Sequence, residues 1–169
     1  YMVGRRRIDD PNPPVGEWAF TEAFKRSANT YFIDVGLKAG AEKIIEMGRR
    51  FNLGDMTGVV GPKFEVSGYY PEIGQREKCD GGPWRDGDTA SLCIGQGEII
   101  VTPLQMALVT AAVANGGTLL RPRLVMQLEE QGQNTLPEVI PHQAKDRDIN
   151  VRSQHLEWIR RAMLEDVED

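Results

Sequence analysis

Basic residues are in the minority, long apolar runs are missing, and cysteine and histidine are scarce; each shortage removes a class of function. With 20 Lys and Arg against 25 Asp and Glu, the formal net charge is −5. The chain therefore lacks the clustered positive charge on which polyphosphate binding relies, and nucleic acid is disfavoured as a partner. Its one basic cluster, Arg5-Arg6-Arg7, runs into Asp9-Asp10 and reads as a solvated local charge pattern rather than an anion site. The longest strongly apolar stretch, 99–114, is interrupted by Thr102, Pro103 and Gln105 and falls short of the ~20 residues a span requires. No membrane helix and no signal peptide are read in these residues. Cys79 and Cys93 lie in or beside a Gly/Pro-rich stretch, where a pair formed in an oxidising compartment and two free thiols fit equally well. His142 and His155 stand alone, and neither CxxC nor HExxH occurs, which leaves little support for a metal site.

What is present suffices for one core: 169 residues, of which 40% are hydrophobic, have the size of a single domain. Residues 1–16, with Pro11, Pro13 and Pro14, read as extended and irregular, because proline removes a donor and disfavours helix in the residue before it. Helical patterning begins near Glu17, with Trp18, Phe20, Ala23 and Phe24 on one side, and should stop about Arg26. A second helix is expected over 30–40 with Tyr31, Phe32, Val35 and Leu37 inward. A third covers 41–51, where Ile44, Ile45, Met47 and Phe51 recur at helical spacing and Gly54 suits a C-terminal cap.

Between 57 and 92 the periodicity is lost. Gly81-Gly82-Pro83 and Asp86-Gly87-Asp88 are turn chemistry, and a connection this long is expected to be either functional or braced by its neighbours. Trp84, Tyr69 and Tyr70 within it read more readily as packing onto the body than as a peptide-binding wall. Gly95-Gln96-Gly97 lacks the spacing and lysine of a phosphate loop and reads as a turn. Thr102-Pro103-Leu104-Gln105 is the clearest local signal, a capping box with proline at the first helical position. The helix it opens is apolar nearly all round to Ala114, which predicts the buried centre of the fold; Asn115-Gly116-Gly117 ends it. A strand over 121–130, a turn at 131–134 and a return over 136–140 make a candidate hairpin. Ser153 is a candidate cap for a last helix whose Leu156, Ile159, Met163 and Val167 form one stripe.

The triplet Ser27-Ala28-Asn29 has two readings. Ser and Asn are what a helix start requires, since their side chains satisfy open backbone donors. The alternative comes from order along the chain: Ser-Ala-Asn-Thr-Tyr-Phe, then Gly95-Gln96-Gly97, then Thr102-Pro103-Leu104-Gln105-Met106-Ala107, then Ala114-Asn115-Gly116-Gly117. Taken together, the segments 27–36, 49–58, 87–89, 94–107 and 114–119, with a weaker match over 156–167, strongly resemble the transpeptidase domain of class B penicillin-binding proteins. The likeness is to the elongation-type members that cross-link peptidoglycan in rod-shaped bacteria.

That resemblance implies an α+β, mostly helical fold: the helical part of the penicillin-binding-protein transpeptidase, serine β-lactamase-like fold, with a short β-hairpin and residues 1–169 as a partial transpeptidase domain. It implies no cofactor and no metal. Its partners would be peptidoglycan stem peptides and β-lactams, with a cell-wall polymerase alongside. The parent protein would be anchored at the periplasmic face of the bacterial inner membrane by a segment not present here. Of the family's three elements, Ser-x-x-Lys, Ser-x-Asn and Lys-Thr-Gly, only the second occurs. By the resemblance, Ser27 is the catalytic relay that passes a proton between the nucleophile's lysine and the leaving amine, and Asn29 binds an amide of the peptide or β-lactam. None of Ser27, Ser67, Ser91 and Ser153 has lysine three residues on, and no lysine is followed by Thr-Gly or Ser-Gly. The nucleophile is thus expected outside these residues, and the chain alone is expected to be inactive. A non-catalytic scaffold or interaction module of the same lineage is the alternative, and a β-lactam sensor or β-lactamase a weaker one.

Overall fold

The computed structural model describes residues 2–9, 19–74, 82–125, 127–128, 138–139 and 147–168. The chain start, read as irregular, is a small antiparallel ladder: β1 (Met2–Val3) pairs with β2 (Arg6–Arg7), Val3 opposite Arg6. Gly4 turns it with φ near +57°, a conformation that glycine adopts without penalty. Arg7 and Asp9 pair at 2.8 Å in full solvent exposure, the local charge pattern expected of this stretch.

Three helices follow. α1 (Phe20–Lys25) starts three residues later than its pattern suggests, and Trp18 lies outside the described residues. α2 (Asn29–Ala39) buries Ile33 and Gly36, whereas Val35, expected inward, is exposed. The inward face is set by what α2 packs on: α4 (Asp86–Cys93) lies against it. Gly36 permits that approach, since a Cβ there would sit 2.0 Å from Cys93 Sγ. α3 (Ala41–Arg50) turns Ala41, Ile45 and Gly48 inward and carries Glu46 and Arg50 outside as an ion pair four residues apart. Its C-terminal cap is Phe51, and the left-handed residue that follows and closes the helix is not Gly54 but Asn52, at φ +63°. Leu53 N–H reaches the Gly48 carbonyl and Asn52 N–H the Arg49 carbonyl, the double closure that asparagine tolerates almost as well as glycine. Gly54 is reserved for a close approach, its Cβ position lying 2.8 Å from Tyr70 Cβ.

Over 57–92 the expectation of bracing is met, while α4 forms where turn chemistry was read. Asp88 accepts from the Arg85 N–H at 2.9 Å, Asp86 and Asp88 sit in the first turn, and burial of Thr89, Ala90 and Leu92 supplies the rest. Before it, Glu65 closes the loop 57–65: its carboxylate accepts from the Thr57 N–H and hydroxyl and from the Gly58 N–H at 3.0 Å. The Thr57 hydroxyl, foremost, holds the Glu65 carboxyl below its ordinary range against partial burial. A depressed carboxyl stabilises the folded chain above its unfolded value, near 4.3, and the contribution disappears as pH falls through the depressed value. Glu65→Gln is therefore expected to lower the melting temperature at pH 7 and to converge on the wild type as pH falls through the depressed value; a difference independent of pH in thermal scans would contradict the assignment.

Tyr70 and Trp84 pack, as the plainer reading has it. Tyr70 is buried with Ile45 and Leu92, its hydroxyl donating to the Ile44 carbonyl, and Gly48 leaves room for the ring: a Cβ there would lie 2.1 Å from the phenolic oxygen. Trp84 Nε1 donates to Thr89 Oγ1 at 2.8 Å. Tyr69 bridges antiparallel to Ile100 through two 2.8 Å backbone bonds.

α5 (Pro103–Ala114) opens with the capping box its sequence announces: Gln105 N–H to Thr102 Oγ1 at 3.1 Å and Thr102 N–H to Gln105 Oε1 at 2.8 Å. It is not buried all round. Ala112 and Val113 enter the core, but Met106, Ala107, Thr110 and Ala114 are exposed. After α5, Asn115 Oδ1 accepts from Thr118 N–H and Gly117 N–H closes onto the Ala112 carbonyl. β3 (Thr118–Leu119) then pairs antiparallel with β6 (Arg147–Asp148), a pairing the sequence reading lacks. The candidate hairpin exists as β4 (Gln127–Leu128) against β5 (Glu138–Val139), Leu128 opposite Glu138; its turn lies outside the described residues.

Bringing β6 beside β3 delivers Ile149 and then α6 (Ser153–Glu168) to the core of Ala112, Val113, Leu119 and Leu156. Full burial of a side chain such as Ile149 or Leu156 is worth about 1.5–3 kcal/mol. α6 buries Leu156 and Ala162 against α1 and α5, while Met163 and Val167, read as stripe members, point out. Its partner is α1, which no local pattern reveals.

Candidate functional site

The geometry of Ser27-Ala28-Asn29 bears on the capping reading. α1 ends by the same double closure as α3: Ser27 N–H donates to the Phe24 carbonyl at 3.0 Å and Ala28 N–H to the Ala23 carbonyl at 2.9 Å. That motif requires a left-handed residue, and here it is Ser27, at φ +49°. Serine in this region costs roughly 1–2 kcal/mol that glycine would not. Ala28, extended and buried, is the N-cap of α2 and supplies no side-chain acceptor. Neither the Ser27 hydroxyl nor the Asn29 carboxamide makes a hydrogen bond among the described residues, so neither caps a helix. A strained, exposed serine and a half-buried asparagine in the first turn of the next helix hold polar groups that the fold leaves unused.

The junction carrying them is stiff. Phe20, Phe24 and Phe32 form a three-ring cluster with centroids 5.9–6.5 Å apart, and Tyr31 stands edge-on to Phe32 at 5.3 Å. These rings pin the end of α1 to the start of α2. Underneath, Ile33 is fully buried with Val3 and Ala90. Sequence reasoning lists the aromatics as inward residues but misses that they meet one another across the triplet; the spacing of Phe20 and Phe24, one turn apart, was the available signal.

Chemically, a hydroxyl both donates and accepts, and a carboxamide can hold a peptide group without adding charge. Cys93, the free thiol among the described residues, is unsuited to attack: burial pushes it up, away from the thiolate. Cys79 lies outside the described residues, as does His142. Two cavities are clear in the body. One is lined by Trp84, Pro71, Leu92, Ile99, Asp88 and Glu98; the other is an open cleft beside Arg121. Ser27 and Asn29 line neither.

Comparison with known proteins gives a consistent result. The family model for the penicillin binding protein transpeptidase domain matches residues 4–169. Peptidoglycan D,D-transpeptidase MrdA of Escherichia coli strain K12 is 33% identical over 135 residues, 80% of this chain and 21% of that protein. MrdA of Salmonella typhimurium strain SL1344 is 34% identical over 117 residues, 69% of this chain and 18% of that protein. The penicillin-binding protein PBP2 of Helicobacter pylori, solved in complex with MreC, superposes with a TM-score of 0.78 at 27% identity, covering 96% of this chain and 28% of that one. The chain therefore spans about a fifth of the length of the curated relatives it matches.

Proposed function

This chain belongs to the class B penicillin-binding protein transpeptidase family, and we propose that it is the helical part of an elongation-type peptidoglycan D,D-transpeptidase. The reaction is acyl transfer: a serine attacks the carbonyl of a stem peptide, an amine leaves, and a second stem peptide takes the acyl group. β-Lactams enter by the same attack and remain as the acyl-enzyme. In this reading Ser27 accepts a proton from the nucleophile's lysine and donates one to the leaving amine, which a hydroxyl can do in a single hydrogen-bonded chain. Asn29 holds a substrate amide through its carboxamide. The whole protein would work at the periplasmic face of the inner membrane, held by an anchor and accompanied by a cell-wall polymerase.

One observation carries the roles of Ser27 and Asn29: a left-handed serine at a position suited to glycine, with a hydroxyl that no helix end uses. Ser-x-x-Lys does not occur within residues 1–169, so this chain alone is expected to form no penicillin adduct by mass spectrometry. In the whole protein, Asn29→Ala should reduce labelling by a fluorescent penicillin about 100-fold or more, the lower end for a lost transition-state hydrogen bond. Its unfolding should stay within about 0.5 kcal/mol of wild type, because the side chain has no hydrogen bond among the described residues to lose. Undiminished labelling would remove Asn29 from the site.

A further inference from the structure

An open cleft of about 310 Å³ lies between the 52–58 segment, α5 and β3. Its apolar side is continuous with the core: Leu108 and Leu119 belong to the cluster around Leu156, and beside them Leu120 and Met56 are 37% and 42% exposed. Its polar side holds two guanidinium groups, Arg121 and Arg147, and no carboxylate lines it among the described residues, in a chain with an excess of acids. Arg147 is engaged, its Nη2 donating to the Arg49 and Arg50 carbonyls at 3.0 and 2.7 Å, where the C-terminal end of α3 balances part of its charge. Arg121 is different. Its guanidinium lies flat enough on Gly58 that a Cβ there would come within 3.2 Å of Nη2, and among the described residues it has no hydrogen bond and no ion pair.

A planar fork of donors beside open leucine side chains matches a carboxylate with an aliphatic neighbour. Polyphosphate is a poor fit, since a single such guanidinium in an acidic chain gives little field to gather it. A cleft at the lower end of the roughly 300–1,000 Å³ common for ligand sites suits a few side chains of an extended segment. We propose that this cleft docks an acidic, aliphatic segment of a partner protein, Arg121 taking its Asp or Glu carboxylate and Leu119, Leu120 and Met56 its neighbouring side chains.

The test uses the whole protein with methyl-labelled leucine and methionine, titrated with the capped peptide Gly-Ser-Leu-Asp-Leu-Ser-Gly, its Asn counterpart and N-acetylleucine. The acidic peptide should shift the Leu108, Leu119 and Leu120 methyls saturably. The Asn counterpart, and Arg121→Gln with the acidic peptide, should each bind about tenfold more weakly or worse, the scale of one charge-assisted hydrogen bond. Fluorescent penicillin labelling should be unchanged in Arg121→Gln, showing that the fold is intact. Equal affinity for the Asp and Asn peptides, or for wild type and Arg121→Gln, would overturn the proposal. So would N-acetylleucine binding as tightly as the peptide, which would make the cleft a subsite for a small carboxylate. Cleft shifts that grow with protein concentration and no peptide would replace the partner by a second copy of the chain.

Discussion

Replacing Ser27 by glycine is expected to leave the whole protein at least as stable as wild type while its labelling by a fluorescent penicillin falls about 10²–10⁴-fold, the range for a lost proton-transfer group. The stability half follows from φ +49°. Relief of left-handed strain gains roughly 1–2 kcal/mol, and the greater freedom of glycine in the unfolded chain offsets about 0.5–1 of it. Ser27→Ala separates the two effects. It removes the same hydroxyl and should lose the same labelling, but it keeps the Cβ and hence the strain, so it should gain no stability. Labelling near the wild-type rate in both variants would leave Ser27 a plain connector. A marked loss of stability in Ser27→Gly would show that the hydroxyl serves the fold through a contact not visible between the described residues.

The second large effect concerns Gln105, 1% exposed and bonded at both ends of its amide. Oε1 accepts from Thr102 N–H, while Nε2 donates to the Asp55 carbonyl at 2.8 Å and the Ser67 carbonyl at 2.9 Å. One side chain thus caps α5 and ties down both ends of the 55–67 segment. Gln105→Leu keeps the volume but strands three backbone groups, each costing about 1–3 kcal/mol where water cannot reach. We expect a loss of about 3 kcal/mol or more in denaturant titration, together with faster proteolysis at Lys63. Gln105→Glu supplies an internal control. Its ionised carboxylate would face two carbonyl oxygens, which raises the pKa of the introduced group when folded. Stability should then recover as pH falls through that raised value, because only the protonated form can donate. A penalty for Gln105→Glu equal at pH 5 and pH 8 would refute this geometry.

These two residues mark how far the sequence could be read. Gln105 was legible as half of a capping box, because Thr102, Pro103 and Gln105 stand at fixed offsets and the chemistry is local. Its second half, the two carbonyls 50 and 38 residues away, was not, since nothing in the Thr-Pro-Leu-Gln string points to Asp55 or Ser67. Ser27 was legible as one of two things. Order along the chain suggested a site, and local chemistry suggested a cap; the backbone angle and the lack of a cap bond among the described residues count against the cap alone. α4 was missed because Asp86-Gly87-Asp88 is turn-like in isolation, and the burial of Ala90 beside Ile33 of α2 and of Leu92 beside Ile45 of α3 and Tyr70 outweighs that preference. α5 was misplaced at the centre because apolar composition states what a helix can bury, not how much of it has a neighbour.

By itself, then, the sequence determined the helix starts and stops that rest on local hydrogen bonds, the family likeness carried by ordered short motifs, and the lack of a nucleophile-lysine pair. Tertiary structure alone decided which helix faces are covered, that α6 lies on α1, and that left-handed Ser27 stands at a junction whose flanking rings pack together. The division has one physical cause. Caps and turns are closed by atoms a few residues apart and so are written in adjacent letters, whereas burial and strain depend on surfaces brought together from distant parts of the chain.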